Sequence, residues 1–141
     1  IEATFQNNLA QGKRVVPGPG EMDAAQDRRS AIVDGDLKTA WTPQMASGPA
    51  SIVIDLLADR SFDLIAIRED IRSGQRVSGF HVDVEERDGA WKRVAEGTTI
   101  GYQRLLRIPP MRAQRLRLTI TSALGRPAIA EFGLYRSRSH D

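Results

Sequence analysis

"RVSGFHVDVEERDGAWKRVAE", residues 76–96, decides the fold. Phe80, Val82 and Val84 alternate with His81, Asp83 and Glu85, the two-residue period of a strand with one apolar and one wet face. Asp88-Gly89 then supplies the strongest short hairpin signal, because a two-residue turn of the matching twist needs positive φ. "AWKRVAE" resumes as the returning strand. Working outward, "SIVIDLL" (51–57) and "FDLIAIRE" (62–69) read as strands upstream. Downstream, "TTIGYQRLLRI" (98–108) runs into Pro109-Pro110, where missing N–H donors predict that pairing stops. "RAQRLRLTIT" (112–121) alternates again, with Leu116, Leu118 and Ile120 on one side, and "AIAEFGLYR" (128–136) closes the series. Short strands at regular spacing predict an all-β sandwich or barrel. No window of helical length carries a 3.6-residue period. Residues 16–30 read as a loop with one helical turn at 23–29, and 137–141 as a frayed tail.

The chain's 141 residues suit one domain, able to bury about two thirds of the surface of its unfolded form. The absence of cysteine removes disulfides, thiolate zinc sites and cysteine nucleophiles together. Apolar runs fall far short of the roughly 20 residues of a membrane-spanning helix. The net charge is only +2 with the two signs interleaved, so no field of one sign attracts a phosphate backbone, and nucleic acid is not an expected partner. The chain opens on Ile1 and is read as a piece of a longer protein.

Calcium takes six to eight oxygen ligands, and "AIVDGDLKT" (31–39) offers aspartates, carbonyls and a threonine hydroxyl. The spacing does not fit the helix-loop-helix calcium site, which needs alternating ligands and a glutamate at position 12. The alternative is an ion-free Asx-type turn ahead of Trp41. Trp41 itself reads as a core anchor rather than a sugar platform. Trp91 also reads as packed, whereas Tyr102 is the aromatic expected near a ligand or interface.

The order of these landmarks resembles the discoidin, or coagulation-factor type C, family, which includes carbohydrate-binding module family 32. "NNLAQGK" (7–13) is similar to its opening strand, "VDGDLKTAW" to its first loop, "VEERDGAWKRVAEG" to its hairpin and "AQRLRLTI" to its penultimate strand. The segment "GQRVSGFHVDVEERDGAWKRVAEGTTIGYQRLLRI" is similar to the C-terminal β-sandwich of glycoside hydrolase family 29 α-L-fucosidases. The resemblance implies an eight-stranded jelly-roll β-sandwich of the galactose-binding-like type, forming one module over residues 1–141, and a secreted or periplasmic location. It also implies a structural calcium held by Asp34 and Glu131 through carboxylates, by Thr39, and by the carbonyls of Ala31, Asp36 and Ala130.

No catalysis is expected of this chain alone. A retaining glycosidase needs two carboxylates about 5 to 5.5 Å apart, and the resemblance places them in a separate barrel domain. Glu69-Asp70 and Glu85-Glu86 are neighbours that point to opposite strand faces and read as solvated charge. His81 and His140 are the only histidines, too few for a relay or a transition-metal site. Sugar-binding relatives present an arginine and an asparagine in one loop pocket; here those positions fall near Glu69 or Asp70 and near Gly74, a departure from the galactose-type pocket. Glu69, Asp70, Arg72, Gln75, Arg76 and Tyr102 remain as ligand-binding candidates. Their partner is a fucosylated or galactosylated glycan, or the catalytic barrel of the same polypeptide on which the domain docks.

Overall fold

The structure, a computed structural model, describes residues 8–17, 29–36, 38–43 and 48–136. The strands are β1 (Arg14–Pro17), β2 (Ala50–Glu69), β3 (Val77–Glu85), β4 (Trp91–Gly97), β5 (Arg104–Ala123) and β6 (Ile129–Tyr135). The hairpin read from the sequence is present. β3 and β4 pair antiparallel from Phe80↔Gly97 to Glu85↔Trp91. Between them the Asp88 carboxylate accepts from the Ala90 N–H, and Gly89 turns at φ +88°.

Two long strands organise the remainder. The first half of β2 pairs β1 on one side and the second half of β5 on the other, from Ala50↔Ile120 to Asp55↔Arg115. The second half of β2 pairs the first half of β5 and, on its other edge, β6. One layer is therefore β1–β2–β5–β3–β4 and the other β5–β2–β6, with β2 and β5 bending from one into the other. Counting each bent strand twice recovers the eight expected segments, although only six continuous strands lie among the described residues. The bends explain the difference. Leu56–Asp59 bulge out of the ladder between Asp55↔Arg115 and Arg60↔Ala113, with Leu57 at φ +71° and its N–H on the Asp55 carboxylate. Opposite, the ladder passes from Leu64↔Arg107 to Phe62↔Met111. Pro109-Pro110 thus interrupts pairing as expected, but the strand continues through it, because a bulge accommodates residues that cannot donate.

The core lies between the layers. Ile52, Ile54 and Leu56, Phe62, Ile65 and Ile67, Leu116, Leu118 and Ile120, and Phe132 and Leu134 form one buried cluster. Each such side chain contributes about 1.5–3 kcal/mol by leaving water. Trp41 is 1% exposed in this cluster, and its main chain exchanges two 2.8 Å hydrogen bonds with Ile129. It is the anchor expected, not a platform.

Three expectations need correction or fall away. Residues 8–13 are turns, not an opening strand. Gly12 takes φ +73°, and the Asn8 side chain caps Ala10 N–H and reaches Leu134 N–H, so the chain folds back before β1 begins at Arg14. The wet face of β3 is not uniformly wet. Asp83 is 4% exposed beneath Arg117 (3.0 Å), His81 (3.3 Å) and Arg93 (3.6 Å), and the Arg117 guanidinium lies over Trp91 at 4.6 Å. Arginine stems cover a sheet face that an alternation pattern marks only as polar. Of the helical turn at 23–29, all but Arg29 lies outside the described residues, as do the 137–141 tail and His140; a short 3-10 helix runs Arg29–Val33.

Candidate functional site

β2 ends at Glu69, where four loops meet. Glu69 N–H donates to the Gly101 carbonyl and Asp70 N–H to that of Ala128. The Glu69 side chain is 2% exposed. Its Oε2 accepts from the N–H groups of Arg76 (2.6 Å) and Val77 (2.9 Å), and its Oε1 from that of Gly101 (3.2 Å). The expectation of solvated charge fails here, because three inward-turned backbone donors take the place of water. Glu69 positions the 70–76 and 99–103 loops relative to each other.

Asp70 caps the short 3-10 helix Ile71–Ser73, accepting from Arg72 N–H. Arg72 grips the same carboxylate with Nε (2.9 Å to Oδ1) and Nη2 (2.6 Å to Oδ2), and Nη2 also donates to the Lys38 carbonyl. The guanidinium holds the Asp70 carboxyl below the usual aspartate value, and Asp70 raises that of Arg72. One arginine thus ties the 70–76 loop to the first loop.

Across from it, Arg68 donates Nη1 to the Tyr102 hydroxyl at 3.0 Å and lies 5.1 Å from that ring's centre. Its Nε sits 3.2 Å from Glu131 Oε1 as an ion pair without hydrogen-bond alignment. Between these groups is an open depression of about 230 Å³, with Ile71, Tyr102 and Ala130 as apolar lining and Lys38, Arg68 and Arg72 at its polar margin. Tyr102 is 62% exposed. Glu69, Asp70, Arg72 and Tyr102 of the candidate set line this depression. Gln75 instead rests against Gly101, and Arg76 turns to the Leu124 carbonyl and a neighbouring depression.

Sequence reasoning missed Arg68 and Ile71. The outward parity of Leu64, Ala66 and Arg68 on β2 was a usable signal for the first, and an apolar residue in a charged loop for the second. A larger depression of about 500 Å³ lies between the hairpin and the β2 and β5 bends. Its Arg115 pairs with Glu85 (2.8 Å) and with Asp55 (3.4 Å).

The first loop is knit internally. Asp34 Oδ1 accepts from Asp36 N–H (2.8 Å), Oδ2 from the Thr39 hydroxyl (2.5 Å), and Asp36 Oδ1 from Lys38 N–H (2.9 Å). Ala31 offers its carbonyl to Asp34 N–H at 3.4 Å. These are Asx-type turns. Glu131 is engaged by Arg68 instead of this loop, and among the described residues no three acidic, histidine or cysteine side chains cluster as a metal cage. No helix among the described residues is long and apolar enough to cross a membrane.

Residues 20–132 match the F5/8 type C domain. Alpha-L-fucosidase 1 of Arabidopsis thaliana is 30% identical over 138 residues, covering 95% of this chain and 27% of that protein. The chain spans about a quarter of the length of the curated relatives it matches. A Ruminococcus gnavus GH29 fucosidase solved in complex with fucose is 31% identical, with a TM-score of 0.83 over 98% of this chain and 28% of the other. Chitosan-binding module 2 of a Paenibacillus sp. IK-5 chitosanase/glucanase, solved with chitotriose, shares the fold: TM-score 0.76, 21% identity, 91% and 99% coverage. Two antiparallel layers sharing bent strands, a Trp41-anchored first loop and a match over residues 20–132 lead to one assignment: the chain belongs to the F5/8 type C, or discoidin, domain family.

Proposed function

We propose that this chain is a non-catalytic carbohydrate-recognition module of an α-L-fucosidase-like glycoside hydrolase. The observation that carries the reading is the depression at the loop end. It joins an exposed tyrosine ring and Ile71, suited to the apolar face of a sugar, to arginine donors suited to hydroxyls. The lack of catalysis is supported by the state of the nearby acids: Glu69 is committed to three backbone N–H groups, Asp70 to Arg72 and Glu131 to Arg68. Calorimetric titration of the 141-residue chain with fucose- and galactose-terminated oligosaccharides tests the reading. Tyr102→Ala weakens binding about tenfold with the melting temperature unchanged, the scale expected when an exposed aromatic anchor is truncated. Silence toward every glycan removes the proposal.

A second reading, docking on a catalytic barrel, has its own support. On the outer side of the β5–β2–β6 layer Leu105 is 46% exposed, beside a second apolar cluster of Leu64, Ala66 and Tyr135 that is itself buried in the chain. Glycan silence together with co-purification on the barrel through this face favours it.

Calcium belongs to the same proposal as a structural clip. The oxygen donors Asp34, Glu131, Thr39 and the carbonyls of Ala31, Asp36 and Ala130 suit its chemistry. Their present partners, Thr39 hydroxyl on Asp34 and Arg68 on Glu131, compete with it.

A further inference from the structure

Leu57 is the backbone outlier of this fold. It stands in the Leu56–Asp59 bulge at φ +71°, the single non-glycine residue with positive φ among the described residues, and it is 63% exposed. A left-handed backbone crowds the Cβ of any L-residue, and an apolar side chain left in water returns nothing for that cost. Glycine or asparagine would suit the position better. The conformation is fixed from beneath. Asp55 Oδ1 accepts from the Leu57 N–H (2.8 Å), and Gln114 (3.3 Å) and Arg115 (3.4 Å) reach the same carboxylate. Strain held at an exposed apolar side chain points to a contact outside the chain.

Gln114 and Arg115 also line the depression of about 500 Å³ at this end of the sandwich. Its floor is apolar, with Val84 and Ala113 buried and Val94 and Met111 half-buried against the core. Its rim carries both signs, Asp59 and Glu86 beside Arg87 and Lys92, all four exposed. One face therefore bears a projecting leucine next to an apolar hollow, and anions next to cations. Such a surface is complementary to itself: a two-fold axis seats the leucine of each copy in the hollow of the other and opposes unlike charges. A partner of uniform charge would meet its own sign somewhere on this rim.

We infer that the bend end of the sandwich is an interface between two copies of this chain, with Leu57 as its anchor. β2 runs from this bend to Glu69, so the Tyr102 depression lies at the far end and stays open in the dimer.

Analytical ultracentrifugation from about 1 µM to about 1 mM tests this on the native chain, Leu57→Asn and Lys92→Glu. The native chain passes from monomer to dimer within that range. Asparagine tolerates the left-handed turn, so Leu57→Asn melts at or above the native temperature at low concentration while its dimerisation weakens about tenfold or more. Lys92→Glu turns one rim cation into an anion, which weakens the dimer, and NaCl restores part of the loss. A native chain that stays monomeric throughout overturns the inference. Dimerisation undiminished in Leu57→Asn overturns the face, and a Lys92→Glu dimer as tight as the native one overturns the charge pairing that selects a second copy. Association that continues past the dimer overturns the two-fold arrangement.

Discussion

Replacing Glu69 with glutamine isolates the joint on which the loop end is built. The carboxylate is buried and its two oxygens accept three backbone N–H bonds from two loops. Glutamine can set its carbonyl where Oε2 lies and keep the bonds from Arg76 and Val77, now without charge. Its amide NH2 then opposes the Gly101 N–H, donor against donor. One lost charge-assisted bond, one buried unsatisfied donor and two weakened bonds sum to about 3 kcal/mol. In a chain of this size that lowers the melting temperature by about 10 °C. Glu69→Ala, which strands all three donors, costs about 3–6 kcal/mol. Urea unfolding followed by fluorescence of the buried Trp41 reads both values. The glutamine variant should also lose sugar affinity, because Ile71 and Tyr102 sit on the two loops that Glu69 joins. A loss below about 1 kcal/mol for glutamine would refute the reasoning, since it would mean that the donors find water as readily as they find the carboxylate.

Acid tests a neighbouring contact. Asp70 is held below the usual aspartate value by Arg72; a depressed acid contributes stability above its unfolded value of 3.8, lost as pH falls through the lower folded one. Asp70→Asn should therefore flatten the acid limb of the stability curve below about pH 4 while lowering stability at neutral pH. His81 behaves oppositely in origin. Burial pushes its imidazole below 6.5, against the attraction of Asp83. The unfolded chain then binds the proton more readily, so stability declines as pH drops below 6.5 and stops declining once the folded imidazole charges. Proton NMR titration of His81 should give a midpoint under 6.5, and His81→Gln should remove that slope; a midpoint above 6.5 contradicts the burial argument. Chelation checks the calcium clip: removing calcium should lower the melting temperature of the native chain but not of Asp34→Ala, and indifference of the native chain at every calcium concentration ends that proposal.

Local pattern exposed much of this molecule. Period-two alternation in residues 80–84 and 116–120 and the Asp88-Gly89 turn marked strands and hairpin correctly, because side-chain direction and turn conformation are properties of a few adjacent residues. Trp41 as anchor was legible for the same reason; Tyr102, expected near a ligand or an interface, is exposed. Glu69 was not. Nothing in "REDIRSGQ" says that a carboxylate will be met by N–H groups seven, eight and thirty-two positions away. Pro109-Pro110 reads as an ending, yet the fold uses it as a bend.

By itself, then, the sequence determined the class of element, the place of the hairpin and the residues that must leave water, since hydrophobic period and turn chemistry act over short range. Tertiary structure decided the rest. It made two strands serve both layers, turned the polar face of β3 into a cover for Asp83, committed Glu131 to Arg68, and gathered Arg68, Ile71, Arg72 and Tyr102 around one depression with Arg76 and Arg126 beside it. These outcomes depend on which backbone donors and which distant charges arrive at a given point, and long-range register alone sets that.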